Sequence, residues 1–493
     1  MRRRARLRNG DCRSGGRSIL IVAIFLAGWI TGGAASSADE PKVFQAGANA
    51  ADITPTRFPI SLNGQMHDRA GSSALDRLHA RCLVLDDGKA PVAIVVVDSC
   101  LISRPIFDEA KRRIAETTPI RTERMLMSAT HTHSAPAVVG VFQSEPDADY
   151  TAFLIDRIVD GVGKAFKNRE PAQIGWGVGQ DPTQVFCRDW LMKPGTALTN
   201  PFGGTKDDQV QMHPGYQNPN AIEPTAPVDP DVSLLAVKAK DGRPIAILAN
   251  YSMHYAGYGV PPNAASADYF GRFAERIKTL VGAEKSNPAF VGIMSNGTSG
   301  NLHCYDYSKP KQPLTIDTVA DSVARAAFAA YEKIEYHDAV PLVMRESKLT
   351  LPLRLPNAEE IQRAKEVLAA VKKPTLSGFG EIYARETVLL SEFPKEVELK
   401  LQALRVGSLG IAAIPCETFA ETGLAIKQKS PLKPTFTIEL ANGYNGYIPP
   451  PARHALGGYE TWRARSSCLE IGAEPKILAE VLRLLDEVAK AKE

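Results

Sequence analysis

Three stretches of the chain repeat one arrangement of apolar and polar positions. Residues 80–98 read Ala-Arg-Cys-Leu-Val-Leu, then Asp86-Asp87-Gly88, then an apolar run from Pro91 to Asp98. Residues 233–250 and 400–417 do the same around Asp241-Gly242 and around Gly407 to Gly410, ending at Asn250 and Glu417. Two apolar runs about a tight glycine-containing turn predict a hairpin. The second run is apolar throughout, which predicts a strand covered on both faces. Arg124–Thr130 and Phe290–Ser295 read as further strands without a hairpin partner.

Between these strands the spacing changes. Leu154, Ile155, Ile158, Val159, Val162 and Phe166 recur at helical intervals. Tyr269 to Leu280, Ile316 to Ile334, Phe419 to Lys427 and Lys476 to Ala489 read alike. Hairpins mixed with helices predict an α/β fold with a mixed sheet core and flanking helices. Residues 192–230, rich in Pro, Gly, Asn and Thr, predict a long surface loop bordering a pocket. No low-complexity linker divides the chain, so one large catalytic domain over residues 39–493 is expected.

The N-terminus stands apart. Arg2, Arg3, Arg4 and Arg6 precede a short apolar run, Ile19 to Ile30, and small residues ending in Ser36-Ser37-Ala38. This layout predicts a signal peptide over residues 1–38 and a secreted or periplasmic protein; the alternative is an uncleaved membrane anchor. The 493 residues carry a formal charge of only +3, with no basic stripe beyond the N-terminus, which argues against nucleic acid as a partner. Of seven cysteines, none is paired as Cys-x-x-Cys, so a thiolate zinc site is not expected, and disulfides stay open.

Candidate chemistry collects where the apolar runs end. His131 and His133 lie two apart on extended backbone and so share a face. A metal or a substrate oxygen suits such a pair, and a hydrogen-bonded loop pair is the plain alternative. His254 follows the second hairpin, with Asp268 near enough in sequence to orient an imidazole. Glu417 follows the third hairpin, where simple helix capping would also place a carboxylate. The run Ser295 to Asn301 is rich in glycine, hydroxyl and amide groups, as an oxyanion loop needs, or an ordinary turn. Ser299 has no Gly-x-Ser-x-Gly elbow around it, so an α/β-hydrolase triad is not indicated. Asn442 to Pro449 alternates Tyr with Gly and Asn, which by itself predicts a turn packing two rings. Two histidines, one glutamate and an open position fit a catalytic zinc site.

The order of these motifs resembles that of the neutral/alkaline, non-lysosomal ceramidases. Gly47 to Pro55 is similar to that family's Gly-x-x-x-x-Asp-Ile-Thr opening, and His131-Thr132-His133-Ser134-Ala135-Pro136 to its His-Thr-His-Ser-Gly-Pro motif. Ser299-Gly300-Asn301, Pro415-Cys416-Glu417 and Gly443 to Tyr447 resemble its Ser-Pro-Asn, Pro-Gly-Glu and Tyr-x-Gly-Tyr segments. The resemblance implies one zinc ion held by His131, His254, Glu417 and Tyr447. It implies Ser299 as the active-site serine, with His133, Arg188 and Tyr459 near the substrate amide.

The expected activity is that of a secreted zinc-dependent amidohydrolase. It would cleave ceramide, or a related N-acyl lipid, to a fatty acid and a sphingoid base, with peripheral contact to a membrane. A zinc hydrolase of another amide, ester or phosphoryl bond is the alternative, and a non-catalytic exported binding protein the third reading. Three departures stand out: the family's C-terminal immunoglobulin-like domain is expected to be absent, the serine loop reads Gly297-Thr298-Ser299-Gly300, and Pro449-Pro450 replaces threonines.

Overall fold

Each of the three hairpins forms where the pattern places it, and each belongs to the same larger unit. The computed structural model describes residues 43–202 and 208–492. The signal expected over 1–38 lies outside the described residues. In the first unit β1 (Gln45–Asp52), β2 (His79–Asp86) and β3 (Val92–Val97) pair antiparallel in that order. Then α1 (Arg104–Thr117) crosses back, β4 (Met125–Ala129) adds parallel to β3, and α2 (Ala148–Lys167) follows.

The second unit repeats the scheme with β5 (Glu170–Gln180), β6 (Asp231–Ala239), β7 (Pro244–Tyr251), α3 (Asp268–Leu280), β8 (Val291–Asn296) and α4 (Ile316–Tyr331). The third has β9 (Leu342–Pro352), then a helical pair, α5 (Ala358–Ala370) and α6 (Phe379–Leu390), before β10 (Glu396–Val406) and β11 (Leu409–Ala413). It closes with α7 (Ala420–Lys429), β12 (Thr435–Ile438) parallel to β11, and α8 (Ala473–Lys490).

Gln45 and Ala46 of β1 pair with Pro171 and Glu170 of β5, which joins the first two units. The result is an eight-stranded sheet ordered β8-β7-β6-β5-β1-β2-β3-β4, beside a four-stranded sheet β9-β10-β11-β12. Side-chain alternation then assigns the faces. Leu83, Ile94, Leu235 and Leu248 point toward Leu404, Ile411 and Phe436 and make a core between the sheets. Their neighbours Cys82, Val95, Leu234 and Ile247 point away, under α1 to α4. Leu399, Leu401 and Ile414 of the smaller sheet's outer side pack on Ile477, Val481 and Leu484 of α8. The layers run helix, sheet, sheet, helix. Because β3, β7 and β11 each lie in such a core, burial of Val92 to Val97 is complete, as the unbroken apolar run requires.

Residues 192–230 are not one loop. Val210–Met212 and Ala221–Pro224 flank Asp189–Met192 in a three-stranded sheet. The six described cysteines are all buried and free, so no disulfide forms among them.

Candidate active site

The parallel strand pairs β3/β4, β7/β8 and β11/β12 end at the same place, and each unit delivers its reactive groups just past those ends. That is where open α/β sheets gather ligands. His131 and His133 follow β4, His254 follows β7, Glu417 follows β11, and Tyr447 follows β12. All five are buried.

His131 is held in a left-handed conformation, φ 71°, which a non-glycine residue adopts only under external restraint. Its backbone N–H donates to Ser99, and Nδ1–H donates to the Cys100 carbonyl at 3.0 Å. That fixes the tautomer and leaves Nε2 facing inward, 3.2 Å from Glu417 Oε2. His133 Nε2 lies 3.2 Å from His131 Nε2 and 2.9 Å from His254 Nε2. One ligating atom each from His131, His254 and Glu417 falls within 4.8 Å of the others. Glu417 Oε1 accepts from the Tyr444 hydroxyl at 3.1 Å, whereas Oε2 is buried without a hydrogen-bond partner. An unpartnered carboxylate oxygen facing two imidazole nitrogens is a donor set suited to zinc.

The charges follow from this crowding. Burial works against a charged His131, but the Cys100 thiol and the Glu417 carboxylate push its pKa well up. Burial depresses His133 and His254, helped by the neighbouring His131 and by Arg188. Burial alone would raise Glu417; His131 and the Tyr447 hydroxyl bring it below the usual carboxylate value.

Arg188 stands behind the cluster, not in it. Its guanidinium donates to Glu460 at 2.7 Å, the Gly300 carbonyl at 2.7 Å and the Tyr447 hydroxyl at 3.1 Å, and lies 3.1 Å from His254 Nδ1. Every face of the fork is occupied, and Arg188 does not line the cavity. Its role is to hold His254 and Tyr447. Tyr459 does line the cavity, with its ring 5.7 Å edge-on from that of Tyr447.

Ser299 is fully buried and does not line the cavity. Its hydroxyl donates to Glu439 Oε1 at 2.6 Å and accepts from Asn296 Nδ2 at 3.1 Å. Glu439 also accepts from the Thr418 backbone N–H at 2.7 Å. Ser299 thus ties the residue after Glu417 to the end of β8. Asp268 likewise serves a different partner: it accepts from the His133 backbone N–H at 3.2 Å and does not touch the His254 ring. Cys100, Glu439 and Tyr444 escaped the sequence reading. Glu439 carried the one usable signal, since it follows the apolar Thr435–Ile438 run just as Glu417 follows Leu409–Ala413.

With this geometry in view, solved structures give a clear match. The neutral ceramidase of Pseudomonas aeruginosa superposes with a TM-score of 0.67 over 90% of this chain and 74% of that one, at 16% identity. The chain has the neutral ceramidase fold. A ceramidase complexed with C2 gives a TM-score of 0.66 over 91% of this chain and 75% of its own, at 15% identity. In sequence, Neutral ceramidase B of Dictyostelium discoideum is 24% identical over 248 residues, 46% of this chain and 30% of that protein. The chain therefore matches less than a third of that relative's length. No family model matches.

Proposed function

We propose that the chain is an exported, zinc-dependent amidohydrolase that cleaves the N-acyl bond of ceramide or a closely related N-acyl lipid. The observation that carries this reading is the convergence of His131, His254 and Glu417 around an unpartnered carboxylate oxygen, on a ceramidase fold. His131 Nε2, His254 Nε2, Glu417 Oε2 and the Tyr447 hydroxyl are the groups to hold the ion. Bound there, zinc supplies Lewis acidity toward water and the amide carbonyl.

The chain's own groups do the rest. Tyr459 lines the cavity, and burial raises its pKa, so it stays a phenol and can donate to the carbonyl oxygen as charge develops. His133 also lines the cavity, is kept neutral by burial, and has a buried Nδ1 without a partner. It is the group to accept a proton from the attacking water and pass it to the departing nitrogen. Ser299 acts through Glu439, as a positioning residue.

The lipid substrate and peripheral membrane contact belong to the same proposal. No described helix is long and apolar enough to cross a membrane. Export rests on the layout of residues 1–38, and a mature protein beginning at Asp39 is its direct check. The test of activity is a ceramide hydrolysis assay paired with metal analysis. The reading requires about one zinc per chain, and requires His131→Ala to lose both zinc and turnover. A zinc-free protein that hydrolyses ceramide at the full rate would overturn it.

A further inference from the structure

The space beside the metal-ligating groups is small, about 30 Å³. It can take a scissile amide but not a hydrocarbon arm, so any arm must leave it. Tyr459 also lines a second recess, of about 220 Å³. Gly64 borders the first space and Met66 the second, so the two are neighbours at two separate points of the chain.

The second recess is walled mostly by apolar and aromatic side chains, with Gln211 and His213 the polar residues of its lining. Val210 and Met212 alternate onto one face of a strand whose partners are Leu191 and Asp189, directly after Arg188. The wall is therefore fixed in register with a residue that holds His254 and Tyr447. Opposite stands Trp462, whose indole N–H donates to Asp208 at 2.7 Å, with Phe379 edge-on at 5.7 Å. Leu198 and Phe379, 48% and 42% exposed, form the rim, so the recess opens to solvent. Its volume is below the roughly 300–1,000 Å³ of a site for a drug-sized ligand.

We propose that this recess binds one hydrocarbon arm of the amide substrate, and that Met212 and Trp462 limit how much of that arm is held. A medium-length arm fills it. A longer arm passes out between Leu198 and Phe379 and gains nothing further. This rests on the amidohydrolase reading and adds to it a length limit set by this chain's own residues.

The test uses two amide series on the full-length mature protein, one lengthened only in the acyl arm and one only in the N-alkyl arm. In one series kcat/KM is expected to rise by about fourfold per methylene, equivalent to about 0.8 kcal/mol, and then level off. Met212→Trp and Val210→Phe should each move the levelling point to a shorter arm. Whichever series responds identifies the arm. A readout independent of turnover is quenching of Trp462 fluorescence by a bromine-labelled fatty acid, which Trp462→Phe should remove and Val210→Phe should weaken. If amides are cleaved but neither variant shifts the length dependence in either series, the recess proposal fails and the amidohydrolase reading survives. If no amide is cleaved yet the Trp462 quenching responds to Val210→Phe, the recess stands and the reaction assignment falls.

Discussion

Glu417 and Tyr447 are registered opposite each other as the first pair of a two-residue parallel ladder. Backbone bonds lock the pair from both sides: Glu417 N–H to Gly446 at 2.9 Å, and Tyr447 N–H to Ser466 at 2.8 Å. The carboxylate that presses against His131 is thus held by backbone, not by a side-chain rotamer alone. Its consequence is a proton coupled to the metal. Cys100 and Glu417 push the His131 pKa well above the ordinary histidine value, and a ligand nitrogen must be free of its proton. Zinc uptake near pH 7 should therefore release at least one proton, and affinity should rise with pH. Titration calorimetry in buffers of different ionisation enthalpy measures the release. Glu417→Gln should lower it along with the affinity; uptake with no proton released would contradict the arrangement.

Ser299→Ala tests whether that hydroxyl reacts or positions. Burial pushes the Glu439 pKa up to about 8, so near pH 7 the carboxyl is mostly neutral and losing this donor should cost about 0.5–1.5 kcal/mol. The expected variant folds, is destabilised by about that amount, and keeps a measurable fraction of turnover. Removing a true nucleophile costs about 10⁶ in kcat and abolishes any burst of acyl-enzyme. Loss on that scale, with stability unchanged, would restore Ser299 as the reacting group. Denaturation midpoints and single-turnover rates decide between the two.

The three hairpins were legible because an all-apolar strand following a glycine turn has few alternative burials. The positions of His131, His254 and Glu417 were legible for the same reason, since each lies just beyond such a run, whereas Tyr447 sits in a turn-like Tyr/Gly/Asn segment that the run pattern does not reach. The threefold recurrence of the whole unit was less visible, because α1 begins at Arg104-Pro105 and its apolar face, Ile106, Phe107, Ala110 and Ile114, is interleaved with Lys111 and two arginines. Val210–Met212 looked like loop because a three-residue strand carries too short an alternation to read. The direction of the Ser299 hydroxyl was not legible, because residue type and glycine neighbours do not report it, and only Glu439 beyond the end of β12 shows where it points.

Gly64 sets the wall against which His133 rests. Its φ of 103° is one that L side chains rarely adopt, and an added Cβ would meet the His133 ring at 2.5 Å. Gly64→Ala should displace His133 more than it disturbs the cores, since Gly64 lies outside both sheets. The expected result is a fall in kcat of tenfold or more with a folded protein by circular dichroism. Full activity in the variant would remove His133 from the proton path.

Lys111 gives a prediction about pH that does not involve the metal. It is buried in α1, and its ammonium donates to Asn442 Oδ1 at 2.7 Å. Burial first, then the nearby Lys400, pull its pKa down to about 7. In the unfolded chain a lysine titrates near 10.4. Between these values the unfolded chain carries the extra proton, so stability should climb as pH rises from about 7 to about 10, and lie flat below 7 as far as this group is concerned. The span corresponds to at most about 5 kcal/mol. Lys111→Met keeps the stem's packing and leaves Asn442 Oδ1 with the Met127 backbone N–H at 3.5 Å. Urea unfolding of the variant should be flatter across pH 7–10 and more stable at pH 7 than the parent; an unchanged slope would show that Lys111 keeps its ordinary proton affinity in the folded protein.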